Sequence, residues 1–147
     1  MGAAYSVGSI RYDQVDRAYC LIEAVGYDVD LEEWREFCSS AIAKVQDPNC
    51  ETVVTVENPL GYVTAVGILR ARISELYGRV LDVPVFVVVS AADTPGVCDA
   101  LLGFVMATAR EKHCGFVRVA SPEPASWSGL PGRGQGESKR GLLIAVR

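Results

Sequence analysis

The apolar positions of the chain change their period several times, and each change marks an element. Ser6–Tyr12 (SVGSIRY) reads as a first strand, and Val15–Val25 (VDRAYCLIEAV) as a short helix closed by Gly26. Asp30 then opens a second helix, with Glu33 three residues on completing a capping box. In that helix Leu31, Trp34, Phe37, Cys38, Ala41, Ile42 and Val45 fall on one stripe, which is the spacing of core packing. Asp47-Pro48-Asn49 breaks the pattern. Glu51–Glu57 (ETVVTVE) and Tyr62–Arg72 (YVTAVGILRAR) read as a hairpin around an Asn58-Pro59-Leu60-Gly61 turn, and Ile73–Arg79 as a connection.

The most informative stretch is Val83–Ala120, which spells strand, turn, helix and strand. Phe86-Val87-Val88-Val89 is apolar at every position, so both faces of this strand must be covered. Thr94 suits an N-cap, and Pro95 a first helical position where its missing N–H costs nothing. The spacing predicts one helix over 95–114 that stops at Gly115, a residue at ease in the left-handed region. A strand feeding a glycine-containing turn into a helix N-terminus gathers unbonded N–H groups and suits an anion.

Composition narrows the classes. At 147 residues with half of them apolar, the chain has room for one domain with a full core. A formal charge of -4 and no basic face argue against a nucleic-acid partner. No apolar run approaches a membrane span, and no charged-then-apolar leader pattern opens the chain, so a location away from membranes is expected. Five cysteines without CxxC spacing predict free thiols in a reducing cytoplasm and no metal site.

The order β-α-α-β-β-β-α-β, carried by GYDVDLEEWREF, VVTVENPLGYVTAVGILRAR, ISELYGRV and a valine strand leading into GVCDALL, resembles the GCN5-related N-acetyltransferase (GNAT) superfamily over about residues 8–120. The resemblance implies an α+β domain: a mixed, mainly antiparallel sheet flanked by helices, with the core over 1–120. It implies acetyl-CoA or another acyl-CoA as donor. The pyrophosphate would lie on a turn of the form Arg/Gln-x-x-Gly-x-Gly/Ala, placed here on Asp93-Thr94-Pro95-Gly96-Val97-Cys98, where only Gly96 agrees. Thr94, Gly96, Val97 and Cys98 would thus line the cofactor. A splayed fourth strand at Val87, Val88 and Val89 would offer N–H groups to the thioester and the pantetheine amides. Asp93 opposes this. A carboxylate ~5 Å from a phosphate charge repels it by roughly 3 kcal/mol at an effective dielectric of 20. The competing reading of the turn is that Asp93 or Thr94 caps the helix.

Catalytic groups are sparse. The strand position that is usually acidic in the superfamily falls near Pro84-Val85. Asp82, two residues earlier and displaced by ~6.6 Å, is one candidate base, and Glu75 in the preceding connection is the other. No tyrosine follows Tyr77 to act as the usual acid. Cys98, near a helix N-terminus, reads as a small buried residue more readily than as a thiolate nucleophile. His113 and Cys114 diverge by ~100° on a helix and do not form a nucleophile–base pair.

Residues 121–140 form a Gly/Pro/Ser-rich loop. Its Gly132-Arg133-Gly134-Gln135-Gly136 imitates a phosphate loop without following a strand, and Arg133, Lys139 and Arg140 are cations within reach of an anion. Residues 141–147 hold the apolar Leu142–Val146, a last strand that pairs within its own sheet or with another copy, so a homodimer is expected. Two function classes follow. One is a divergent acyltransferase passing an acyl group from acyl-CoA to a small amine. The other is a non-catalytic or repurposed relative whose cleft binds another small ligand or a protein partner.

Overall fold

The computed structural model describes residues 5–44, 46–47, 50–90, 92–120 and 142–146. The strands are β1 (Ser6–Ser9), β2 (Thr52–Glu57), β3 (Val63–Ser74), β4 (Gly78–Val88), β5 (Phe116–Val119) and β6 (Leu142–Ala145). They form one sheet in sequence order. Every neighbouring pair is antiparallel except β4–β5. That single parallel pair needs a crossover, and the helix α3 (Thr94–Glu111) supplies it. The Gly/Pro/Ser-rich segment lies outside the described residues.

Each face of the sheet has its own core. Helices α1 (Val15–Ala24) and α2 (Leu31–Ala43) cover one face, where Ala18, Ile22, Trp34 and Cys38 meet Val53, Val66, Ile68, Val85 and Val87. On the other face Val97, Leu101, Val105 and Ala109 of α3 meet Val54, Ala65, Leu81, Val83 and Val117. Of the apolar stripe read on α2, Trp34 and Cys38 are fully buried and Phe37, Ala41 and Ile42 pack against this core, while Val45 lies outside the described residues. The Trp34 indole still needs a partner and donates to the Val15 carbonyl at 2.7 Å, tying α2 to α1. The capping box is present: the Glu33 N–H donates to Asp30 Oδ1 at 2.8 Å.

The structure departs from the sequence pattern in three local ways. The first strand stops at Ser9, and Tyr12–Gln14 is a turn of 3-10 helix. Ile73–Arg79 is not a loose connection: β3 runs on to Ser74, β4 begins at Gly78, and Gly78 takes φ 73° to close the hairpin. The helix of 95–114 ends at Glu111, and its terminator is His113 at φ 58°, not Gly115. The Cys114 N–H reaches the Ala109 carbonyl at 2.8 Å and the His113 N–H reaches Arg110 at 3.1 Å, a Schellman end. Cys114 and Ala109 are both buried in the α3 core, and that packing holds a non-glycine residue in the left-handed region.

Candidate active-site cleft

Pro84 sets the geometry of the cleft. On β3, Ile68 pairs with Val85 and Arg70 pairs with Asp82, so Val83 and Pro84 together oppose the single residue Leu69. This is a β-bulge, and proline is tolerated there because it has no ladder N–H to lose. The bulge inverts the alternation of β4. Below it Leu81 and Val83 face α3; above it Val85 and Val87 face α1 and α2. The backbone inverts with the side chains. The Arg79 and Val83 carbonyls accept from Gly115 and Ala120 on the β5 side, at 2.9 and 3.0 Å. Above the bulge the Val89 N–H turns the other way and donates to the Thr64 carbonyl on the β3 side, at 2.9 Å.

Beyond the bulge β5 no longer follows. The parallel ladder runs only from Val80–Phe116 to Val83–Val119. The remaining five residues of β4, 84–88, extend about 17 Å with β3 on one side and, among the described residues, an opening on the other. Because Val87 and Val89 address β3, the N–H groups of Phe86 and Val88 point into that opening. Of the three valines expected to present amides, Val88 does so, Val87 and Val89 do not, and Phe86 takes their place. Sequence alone gives no sign of this exchange, since it needs the register of β3.

At the head of the opening sits the start of α3. Asp93 is the N-cap: its Oδ1 accepts the Gly96 N–H at 3.1 Å and its Oδ2 accepts the Tyr5 hydroxyl at 2.6 Å. That hydrogen bond pushes the Tyr5 pKa up, so the phenol stays a donor. Thr94 is the first helical residue instead of the cap, and its hydroxyl donates to the Ser90 carbonyl at 3.0 Å. Val97 is fully buried in the α3 core, Cys98 is half-buried, and Gly96 is closed over by Asp93.

A diphosphate needs several converging N–H donors. Here the Asp93 N–H goes to Ser90 Oγ, Pro95 has none, the Gly96 N–H goes to Asp93 Oδ1 and the Val97 N–H goes to the Asp93 carbonyl. Of positions 93–97 that leaves Thr94. The nucleotide end of CoA therefore does not fit this turn, whereas the Phe86–Val88 edge keeps its two outward N–H groups.

The two candidate bases lie apart from this edge. Glu75 is in the β3–β4 hairpin turn, roughly 30 Å along β4 from Val88. Asp82 lies below the bulge on the α1/α2 face, about 13 Å along the strand from Phe86. It is 5% exposed, and Arg72 Nη1 approaches its Oδ2 at 3.2 Å and Arg118 Nη1 its Oδ1 at 3.9 Å. Register also sets Arg70 directly across from it. Asp82 is the hub of a charge ladder across three strands, an arrangement that holds a sheet register as well as it could serve chemistry. His113 caps a helix, and the Cys114 thiol is buried, which pushes its pKa up. All five cysteines are free, and no metal-ligand cluster occurs among the described residues. Among those residues no helix is long and apolar enough to cross a membrane.

A bulged fourth strand splayed from a parallel fifth, with two helices on one face and a crossover helix on the other, has close structural counterparts. The chain has the GNAT fold. Glucosamine-6-phosphate N-acetyltransferase from Arabidopsis thaliana superposes with a TM-score of 0.65 at 13% identity, covering 92% of this chain and 97% of its own. An acetyltransferase of the GNAT family from Staphylococcus aureus gives 0.67 at 9% identity, covering 98% and 100%. An aminoglycoside N-acetyltransferase solved with CoA gives 0.68 at 10% identity, covering 82% and 79%. At the level of sequence, no family model and no curated protein matches. GNAT structures thus share the backbone of this chain and little of its side-chain identity.

Proposed function

We propose that this chain is a divergent acyltransferase, which passes an acyl group from a thioester donor of the acyl-CoA type to a small amine. The observation that carries the reading is the opening above Pro84, where the Phe86 and Val88 amides face outward at the foot of a GNAT-type splay. The donor supplies an activated carbonyl. The chain's own part is to hold that donor extended along β4 by backbone hydrogen bonds that survive side-chain divergence. Asp82, tied to Arg72 and Arg118, positions the strand below the bulge. A second reading, a ligand-binding relative without catalysis, is favoured by one observation: the Asp93–Tyr5 pair occupying the start of α3.

Phe86→Pro separates the two. It deletes the outward N–H without touching the ladder to β3, and the extended backbone accepts the ring. Mass spectrometry of acetyl-CoA with a panel of small amines should detect transfer by the wild type. Phe86→Pro should reduce it by about tenfold or more, and Phe86→Leu should not. Thermal melts confirm that both variants fold. Absence of transfer to every amine would leave the second reading.

A further inference from the structure

The start of α3 carries its own anion. Asp93 closes on Gly96 so tightly that a Cβ there would lie 2.0 Å from Asp93 Oδ2. The carboxylate cannot swing aside freely, because Tyr5, the residue before the edge strand β1, holds Oδ2 at 2.6 Å while the helix holds Oδ1. The hydrogen-bond partners of the carboxylate among the described residues are the Tyr5 hydroxyl and the Gly96 N–H, neither of them cationic. A second anion brought to this point would meet a fixed negative charge and the Thr94 amide. The adjoining β4 edge is the opposite case: neutral, extended, with successive outward amides about 6.7 Å apart, the repeat that an added strand or an amide-bearing chain would match.

We infer that the cleft recognises a neutral, amide-bearing thioester arm of the pantetheine class alone, and that the charged nucleotide end of an acyl-CoA adds nothing to binding. This rests on the acyl-transfer reading of the same cleft and narrows its donor. The arm lies along Phe86 and Val88, and Asp93 takes over the capping role that a diphosphate would otherwise play at α3. Any thioester presenting such an arm without a phosphate at Asp93 is then as good a donor as acetyl-CoA.

Calorimetric titration with S-acetylpantetheine and with acetyl-CoA, at low and at physiological salt, tests this on the intact chain. The two dissociation constants should agree within about threefold, and acetyl-CoA should weaken as salt falls, because screening of Asp93 is lost. Asp93→Asn keeps a capping side chain and removes the charge. It should tighten acetyl-CoA by about tenfold and leave S-acetylpantetheine unchanged. Acetyl-CoA binding more than about tenfold tighter than S-acetylpantetheine to the wild type would overturn the inference while leaving the acyltransferase reading standing. Binding of neither ligand would overturn both.

Discussion

Cys38 shows what burial does to one residue. It sits fully enclosed beneath α2, and desolvation pushes its thiol up from 9.0 to about 12. An ionised thiolate has no hydration in that core, so the folded state keeps the proton. The unfolded chain releases it near pH 9, which means that above this value the unfolded state holds fewer protons than the folded one. The contribution is fully present below pH 9 and is lost as pH rises towards 12. Urea midpoints should therefore fall across that window. Cys38→Ala, though less stable at neutral pH, should lack this part of the fall. Cys114, also pushed up by burial, acts in the same direction and remains in the variant. Equal alkaline slopes for the two proteins would show that Cys38 is not the titrating group.

At the scale of elements, α3 is legible from sequence in kind and shifted at both ends. Thr94 and Asp93 are equally good capping types, and only the position of Gly96 and the Tyr5 hydroxyl selects Asp93. At the other end Gly115 invites the left-handed role, yet the turn is fixed two residues earlier, where Cys114 must enter the core beside Ala109. His113 bears the cost of the left-handed conformation, about 1 kcal/mol for a residue with a Cβ. Replacing His113 by glycine should stabilise the protein by about that amount, a rise of about 3 °C in melting temperature by calorimetry. A lower melting temperature would mean that the imidazole makes a compensating contact. The bulge of β4 lies beyond local reading in the same way. Pro84 within an apolar strand signals an irregularity, but its effect on which amides face outward appears only once Ile68 and Arg70 fix the register.

For the whole molecule, β6 closes the sheet order and its outer edge carries Leu142 at 62% exposure. An apolar edge strand is a template for another strand, and pairing with a second copy across a two-fold axis satisfies it. We expect a dimer built on this edge. Light scattering should give twice the chain mass, and Leu142→Lys should return the monomer. A strict monomer at high concentration in the wild type would remove the idea. The donor preference of the cleft does not depend on this assembly, because Phe86 and Val88 on β4 and Asp93 at the cap of α3 belong to one chain.

What the sequence determined by itself was periodic or local: Trp34 and Cys38 of the α2 stripe in the core, the Asp30–Glu33 box, the Asn58–Gly61 hairpin turn, and the apolar run from Phe86 covered on both faces as far as Val88, with Val89 exposed beyond it. Those features depend on neighbours a few residues away, and the chain carries them wherever it folds. The GNAT layout was legible for the same reason, as an order of such elements. The tertiary structure decided everything that compares distant residues. Tyr5 meets Asp93 across 88 positions, Arg72 and Arg118 converge on Asp82 from different strands, and β5 parts from β4 above Val83. Side-chain identity constrains such meetings weakly, because hydrogen-bond and charge partners are chosen by sheet register, and register is a property of the packed sheet.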